Sequence, residues 1–293
     1  MSEYCSQNLN PSSFKVDSSW VVLSPIEKQI KGKIEKVGKP LKDWDINIYR
    51  GILTGYNEAF IIDGKTKDAL IAKSAKTAEI IRPILRGRDI KRYKADFADL
   101  WIIATFPSRN YNIDDYPAVK EHLLSFGYDR LKQTGEPGAR KSTNNQWFET
   151  QDSISYWDDF SKQKIVWLTI TDKAKFIIDN EGALCLNSTY IMTGEYLYSI
   201  LLCLNSKLID WYFDGICVST GEGTNKWEKF VVEKIPIPET SDAQEEIYSK
   251  LIKQLCALTA DDQRYGNLLY EIYKVVYGLY NLTEEEIAFI DSL

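Results

Sequence analysis

At 293 residues, 44% hydrophobic and 13% aromatic, the chain has core-forming material for one large domain or two modest ones without covalent staples. Five scattered cysteines with no Cys-x-x-Cys pair, and the single histidine His122, exclude a disulfide framework and a zinc site and fit a reducing, cytoplasmic setting. The net charge of −6 excludes a general nucleic-acid coat, whose affinity grows with the phosphates it neutralises, but leaves room for a site-specific reader with a local basic face.

No apolar run approaches the roughly 18 to 20 residues of a membrane span, and the polar N-terminus lacks a signal-peptide pattern, so a soluble, non-exported protein is expected. Residues 1–19 read as a linker, followed by a short strand at Trp20-Val21-Val22-Leu23. Ser24-Pro25-x-Glu27 is a helix-start signal, and Ile26, Ile30 and Ile34 follow at helical spacing up to Gly38. Between Ile46 and Asp63 two apolar runs flank a glycine-bearing turn at Thr54-Gly55-Tyr56-Asn57, which reads as two strands around a loop and, at its simplest, as a hairpin. A polar link leads to a helical pattern from Ser74 to Leu85, interrupted at Pro83.

There follows the densest basic run of the chain. Arg82, Arg86, Arg88, Lys91 and Arg92 are broken only by Asp89 and held apart by Pro83 and Gly87. Such a run is either a solvated face or a contact surface, and the glycine between two arginines favours a loop over a helix. Leu100 to Phe106 reads as a buried strand. Asp114-Asp115-Tyr116-Pro117 opens a helix to about Lys132, with Val119, Leu123, Leu124 and Leu131 on its apolar side and His122 on its surface. Gln133 to Gln146 is the longest polar loop, rich in glycine and proline, and reads as either a disordered linker or a binding loop.

Strands are expected at Lys164 to Thr171, Lys175 to Asp179 and Thr189 to Met192, with a turn at Asn180-Glu181-Gly182, and two of the strands flank a short turn, which argues for antiparallel pairing. Leu197 to Trp211 reads as one amphipathic helix whose Trp211-Tyr212-Phe213 end belongs in a core. Ser219 to Trp227 is a second glycine-rich loop without the spacing of a nucleotide-binding motif. Beyond Glu239 to Asp242, two amphipathic helices and a third capped by Thr283-x-x-Glu286 complete the chain. The expected fold class is α+β, with mainly antiparallel sheets, packed helices and a C-terminal helical segment; the expected boundaries are 1–19, 20–240 and 241–293.

The string Gly51-Ile52-x-Thr54-Gly55-x-Asn57-Glu58-Ala59-Phe60-Ile61-Ile62-Asp63, with Ile84-Leu85-Arg86-Gly87-Arg88-Asp89-Ile90-Lys91-Arg92-Tyr93, resembles the TaqI-type C-terminal specificity domain. Later stretches keep that family's order: Trp147-Phe148-Glu149, Lys164-Ile165-Val166-Trp167, Leu186 to Ile191, Leu204-Asn205-Ser206-Lys207 and Glu233 to Pro238. The resemblance runs from about residue 20 to 290. It implies the target-recognition part of an adenine-specific DNA methyltransferase, of a Type IIG restriction-modification enzyme or of a related phage-exclusion methyltransferase. The implied partners are double-stranded DNA and the methyltransferase domain of the same parent protein.

Under that resemblance Arg50, Asn57, Arg140 and Asn145 are candidates for base readout, since Arg and Asn are the usual bidentate readers of guanine and adenine edges. Arg86, Arg88, Lys91, Arg92 and Lys226 are candidates for phosphate contact, and Thr54, Lys141 and Asn144 complete the set. Catalytic chemistry is not expected in this chain. The Asn/Asp-Pro-Pro-Tyr/Phe motif and the glycine-rich loop that adenine methyltransferases of this class carry are absent from the sequence. S-adenosylmethionine and magnesium are expected only in other domains of the parent. Asp63 with Asp89 and Lys91 is the one combination resembling a nuclease metal site. The rival reading is a non-catalytic module that docks other subunits of a restriction or phage-defence complex.

Overall fold

The computed structural model describes residues 23–217, 223–259 and 261–293. The expected linker at 1–19, the Trp20 to Val22 part of the first strand and Ser219 to Glu222 of the second glycine-rich loop lie outside them. The chain is α+β and divides into two compact units that are not sequential: Ile46–Ile170 with Lys175–Leu197 in one, and the flanking segments with Thr171–Ala174 in the other. The boundary expected at 240 does not appear in this division, because the early and late segments of the chain share one unit.

The central unit is built on two four-stranded sheets. In the first, Ile46–Arg50, Thr189–Gly194, Lys164–Leu168 and Phe176–Asp179 lie side by side, each antiparallel to its neighbour. Lys164 and Asp179 face one another in this sheet as a buried ion pair, and Lys164 also donates to the Phe160 carbonyl. The second sheet runs Ile61–Asp63, Leu100–Ile103, Ile81–Leu85 and Leu184–Cys185, with the last pair parallel. Successive residues of its strands serve opposite cores, as the two-residue period requires. Ile102 packs with Ile84, Val166 and Ile191, while Ile103 packs with Phe60, Val119, Leu123 and Leu131.

Several expected elements take another form. The Ile46–Asp63 stretch is not a hairpin: its two strands belong to different sheets, and Asn57–Phe60 is a short helix between them. The polar link after it forms a helix, Gly64–Lys73, because the Asp63 carboxylate accepts the Thr66 N–H at 2.7 Å and caps the first turn. Only Ala75–Glu79 of the next expected helix is helical, and Ile81–Leu85 is a strand that accommodates Pro83. The helix opened by Pro117 stops at Leu124 and restarts at Tyr128–Leu131, because Gly127 adopts φ +92 between them. His122 is half-buried rather than on the surface. Its Nε2 lies 3.2 Å from the Ala59 carbonyl oxygen, and burial lowers its pKa.

In the other unit, Pro25–Val37 is a helix closed by a capping box in which Ser24 and Glu27 satisfy each other's backbone N–H. The single helix expected across Leu197 to Trp211 is two, Leu197–Leu204 and Lys207–Asp214, separated where Ser206 caps the second. The C-terminal helices Asp242–Cys256, Gln263–Leu279 and Glu284–Asp291 stand as expected. Lys33 ties the last of them to the first helix through Glu286 at 2.6 Å and the Asn281 carbonyl at 2.7 Å. Among the described residues no helix is long and apolar enough to cross a membrane.

Candidate nucleic-acid interface

The two sheets of the central unit meet at Gly51. Arg50 pairs with Tyr190 in the first sheet, but one residue later the chain leaves that partner, and Ile52 bridges Leu186 in parallel. A Cβ on Gly51 would lie 2.0 Å from the Leu186 carbonyl oxygen, so only glycine permits the crossing. Leu184–Cys185 also pairs in parallel with Ile84 and Leu85 on its other side. Three segments therefore run side by side in one direction, and their ends emerge together. The three loops that follow are the Leu53 to Asn57 turn, the Asn187-Ser188 turn and the basic run from Arg86.

A fourth loop joins them through hydrogen bonds. Leu53 donates to the Asp152 carboxylate at 3.0 Å, and the Asp152 and Gln151 N–H groups donate to the Leu53 and Thr54 carbonyls. Burial raises the Asp152 pKa against the opposing pull of the Leu53 bond and of Arg50. The Arg140 guanidinium, only 2% exposed, donates to the carbonyls of Leu131, Thr54, Glu149 and Trp147 at 2.7 to 2.9 Å. The Gln133 to Gln146 loop is therefore not a disordered linker: it is fastened to the Leu53 to Asn57 turn by a buried cation. Desolvation lowers the Arg140 pKa to about 10, with the charge of Arg130 adding to the shift and Glu149 opposing it, and leaves the group charged at neutral pH.

The candidate residues separate into two groups. Arg140 and Thr54 are corrected from contacts to scaffold. Arg140 is enclosed by carbonyls, and Thr54, fully buried, donates its hydroxyl to Asn57 at 2.7 Å. Asn145 directs its amide at the Thr150 and Gln151 carbonyls, so it too holds the loop. Arg86 forms a bidentate pair with Asp89 at 3.0 and 2.7 Å, and Asp89 also accepts the Arg86 N–H. Burial works to raise the Asp89 pKa, but the Arg86 hydrogen bonds and charge outweigh it and hold the carboxyl below its ordinary value.

Asp63 caps a helix and Asp89 is occupied by Arg86, so both carboxylates of the nuclease-like combination already have protein partners. Among the described residues no group of three or more His, Cys, Asp or Glu side chains is arranged to hold a metal ion.

The remaining candidates are outward. Arg88, Lys91, Asn57, Lys141 and Asn144 are exposed, and Arg92 is half-buried. Exposed Arg50 rests one N–H on the Asn187 carbonyl at 3.1 Å. Behind it Tyr156 donates to the Arg50 carbonyl at 2.7 Å and stacks on Tyr49 with ring centroids 4.5 Å apart, which fixes the strand end. Lys226 is exposed in the other unit. Two ring contacts, Arg130 over Tyr56 and Tyr128 against Trp147, were not anticipated from the sequence. Phe126 and Tyr128 followed by Arg130 and Lys132, at every second position, are the signal that marks them.

The TaqI-like C-terminal specificity domain matches residues 82–237, more than half of the chain. Several solved structures share the fold, among them two from restriction enzymes. The type IIG restriction endonuclease BpuSI superposes with a TM-score of 0.54 at 15% identity, covering 87% of this chain and 32% of its own. The Type IIL restriction-modification enzyme MmeI, determined in complex with DNA, superposes at 0.55 and 12% identity, covering 87% of this chain and 36% of its own. This chain thus spans about a third of either enzyme. No curated protein matches the sequence. On the family match, the chain belongs to the TaqI-like C-terminal specificity domains.

Proposed function

We propose that this chain reads a short duplex DNA sequence as the target-recognition part of a Type IIG restriction-modification enzyme that methylates adenine. The observation that carries the reading is the common exit of three parallel segments, which gathers Arg50, the Arg86 to Arg92 run and the Leu53 to Asn57 turn at one edge of the central unit. The fourth loop brings Lys141 and Asn144 beside them. In this reading Arg88, Lys91 and Lys141 anchor phosphates and set the register of the protein on DNA. Arg50, Asn57 and Asn144 supply the fork and amide chemistry that distinguishes base edges.

The chain itself contributes binding and no catalytic group. S-adenosylmethionine and magnesium belong to other parts of the larger enzyme, and the methyltransferase part is the natural neighbour of this surface. Cytoplasmic location follows from that role.

Duplex binding measured by fluorescence anisotropy across a salt series tests the reading. Wild type should bind with affinity that falls steeply as salt rises, and Arg88→Ala/Lys91→Ala should weaken binding and flatten the log-log slope by about 0.9 for each phosphate no longer neutralised. A docking module would have no duplex affinity at low salt, with or without the methyltransferase part. That result overturns the proposal.

A further inference from the structure

Arg130 lies outside the candidate contacts read from the sequence, yet it is an exposed cation of the central unit held by both a ring and a carbonyl. Its guanidinium carbon stands 4.2 Å from the centre of the Tyr56 ring, and one N–H donates to the Gly138 carbonyl at 3.1 Å. Tyr56 is itself braced edge-on by Phe126 at 5.9 Å. Among the described residues no carboxylate lies within ion-pair distance of Arg130, whereas its neighbour Lys132 is paired with Asp129 at 2.6 Å. Arginine and tyrosine are thus held in a fixed stack, with the remaining guanidinium N–H groups unused. Tyr56 belongs to the turn between Leu53 and Asn57, so the stack adjoins the proposed interface.

A second cation aggravates this arrangement. Buried Arg140 is near enough that the charge of Arg130 helps to depress its pKa. Two guanidinium groups of like charge repel one another, and an anion on the exposed one relieves that repulsion. The chemical class follows from geometry. Because the side chain lies across Tyr56, its length is used along the protein surface and does not extend into a groove. A planar fork in that position matches the two oxygens of a phosphodiester.

We propose that the Arg130–Tyr56 stack is a preformed phosphate clamp that extends the DNA contact beyond the strand-end loops, and this rests on the DNA reading above. It binds the backbone of duplex flanking the recognised sequence and contributes affinity without sequence preference.

The test uses the full chain and duplexes of two unrelated sequences in a salt series. Arg130→Gln retains an amide for the Gly138 carbonyl and removes the charge. It should weaken both duplexes by the same factor and flatten the log-log salt slope by about 0.9, while Arg130→Lys keeps the slope. Thermal unfolding of both variants should occur no lower than in wild type, which separates weakened DNA binding from a folding defect. Three results overturn the clamp. An unchanged slope in Arg130→Gln, with Arg88→Ala/Lys91→Ala still flattened, removes the clamp and leaves the DNA reading intact. Loss confined to one of the two sequences makes Arg130 a base reader. A wild-type chain with no duplex affinity at low salt removes both proposals.

Discussion

Two stretches of this protein look alike as sequence and behave in opposite ways as structure. The run from Arg86 to Arg92 and the loop from Gln133 to Gln146 each combine cations with glycine in a polar setting. In the loop, Arg140 is inverted into the protein and holds four carbonyls. In the run, Arg86 is neutralised by Asp89, and that pair closes a tight turn from which Arg88 and Lys91 project. A guanidinium is enclosed where unpaired carbonyls surround it, because each buried carbonyl left without a donor costs free energy. It stays outside where a carboxylate or solvent serves instead. Local charge density therefore does not identify a contact; the supply of competing acceptors does.

The comparison can be broken by substitution, and the largest effect is expected at Arg140. Arg140→Ala removes a buried charge, leaves the carbonyls of Leu131 and Trp147 without a donor and takes one of two donors from those of Thr54 and Glu149, and unfolding in urea should register a loss of about 4 kcal/mol. Arg140→Lys should recover only part of it, since an ammonium cannot present the same fork. Gly51→Ala comes next. The added methyl meets the Leu186 carbonyl, and the sheets can remain joined only with a backbone shift costing about 1–3 kcal/mol. An unchanged urea midpoint in Gly51→Ala would mean that the crossing between sheets is loose.

Asp89→Asn should cost about 1–2 kcal/mol near neutral pH, by releasing Arg86 and weakening the turn. The folded-state pKa of Asp89 is depressed, so its contribution is present above the unfolded value of about 3.9 and is lost as pH falls through the folded value. The stability difference between wild type and Asp89→Asn should accordingly shrink toward zero as pH drops below about 4. A difference that stays constant from neutral pH down through this acid range would contradict the pairing. The smallest effect is at Arg88, where Arg88→Ala should move stability by less than about 0.5 kcal/mol. Its consequence should appear in DNA binding alone.

The regular parts of this fold were legible because they follow local rules. Ser24 and Glu27, and Thr283 and Glu286, form the capping boxes their spacing announces, and Lys164 to Asp179 pairs across its short turn. The failures share one cause, which is that distant partners decided them. Ile46 to Asp63 has the pattern of a hairpin, but Leu186 lies where the second strand would have folded back, and the strands joined different sheets. Pro83 sits within a strand that pairs with Leu100–Ile103, a partner no local propensity reveals. At the candidate interface, residue types did not reveal which side chains face out. Arg140 and Arg88 differ in their surroundings, not in kind.

The most direct test of the account is selection of bound duplexes from a randomised pool by this chain, repeated with Asn57→Ala and Asn144→Ala. If the edge where the four loops meet reads sequence, wild type should enrich one short motif, and each substitution should relax it at a separate position while the remainder persists. If the recovered pool stays random at a salt concentration where binding is measurable, the surface holds DNA without reading it, and recognition by this edge is wrong.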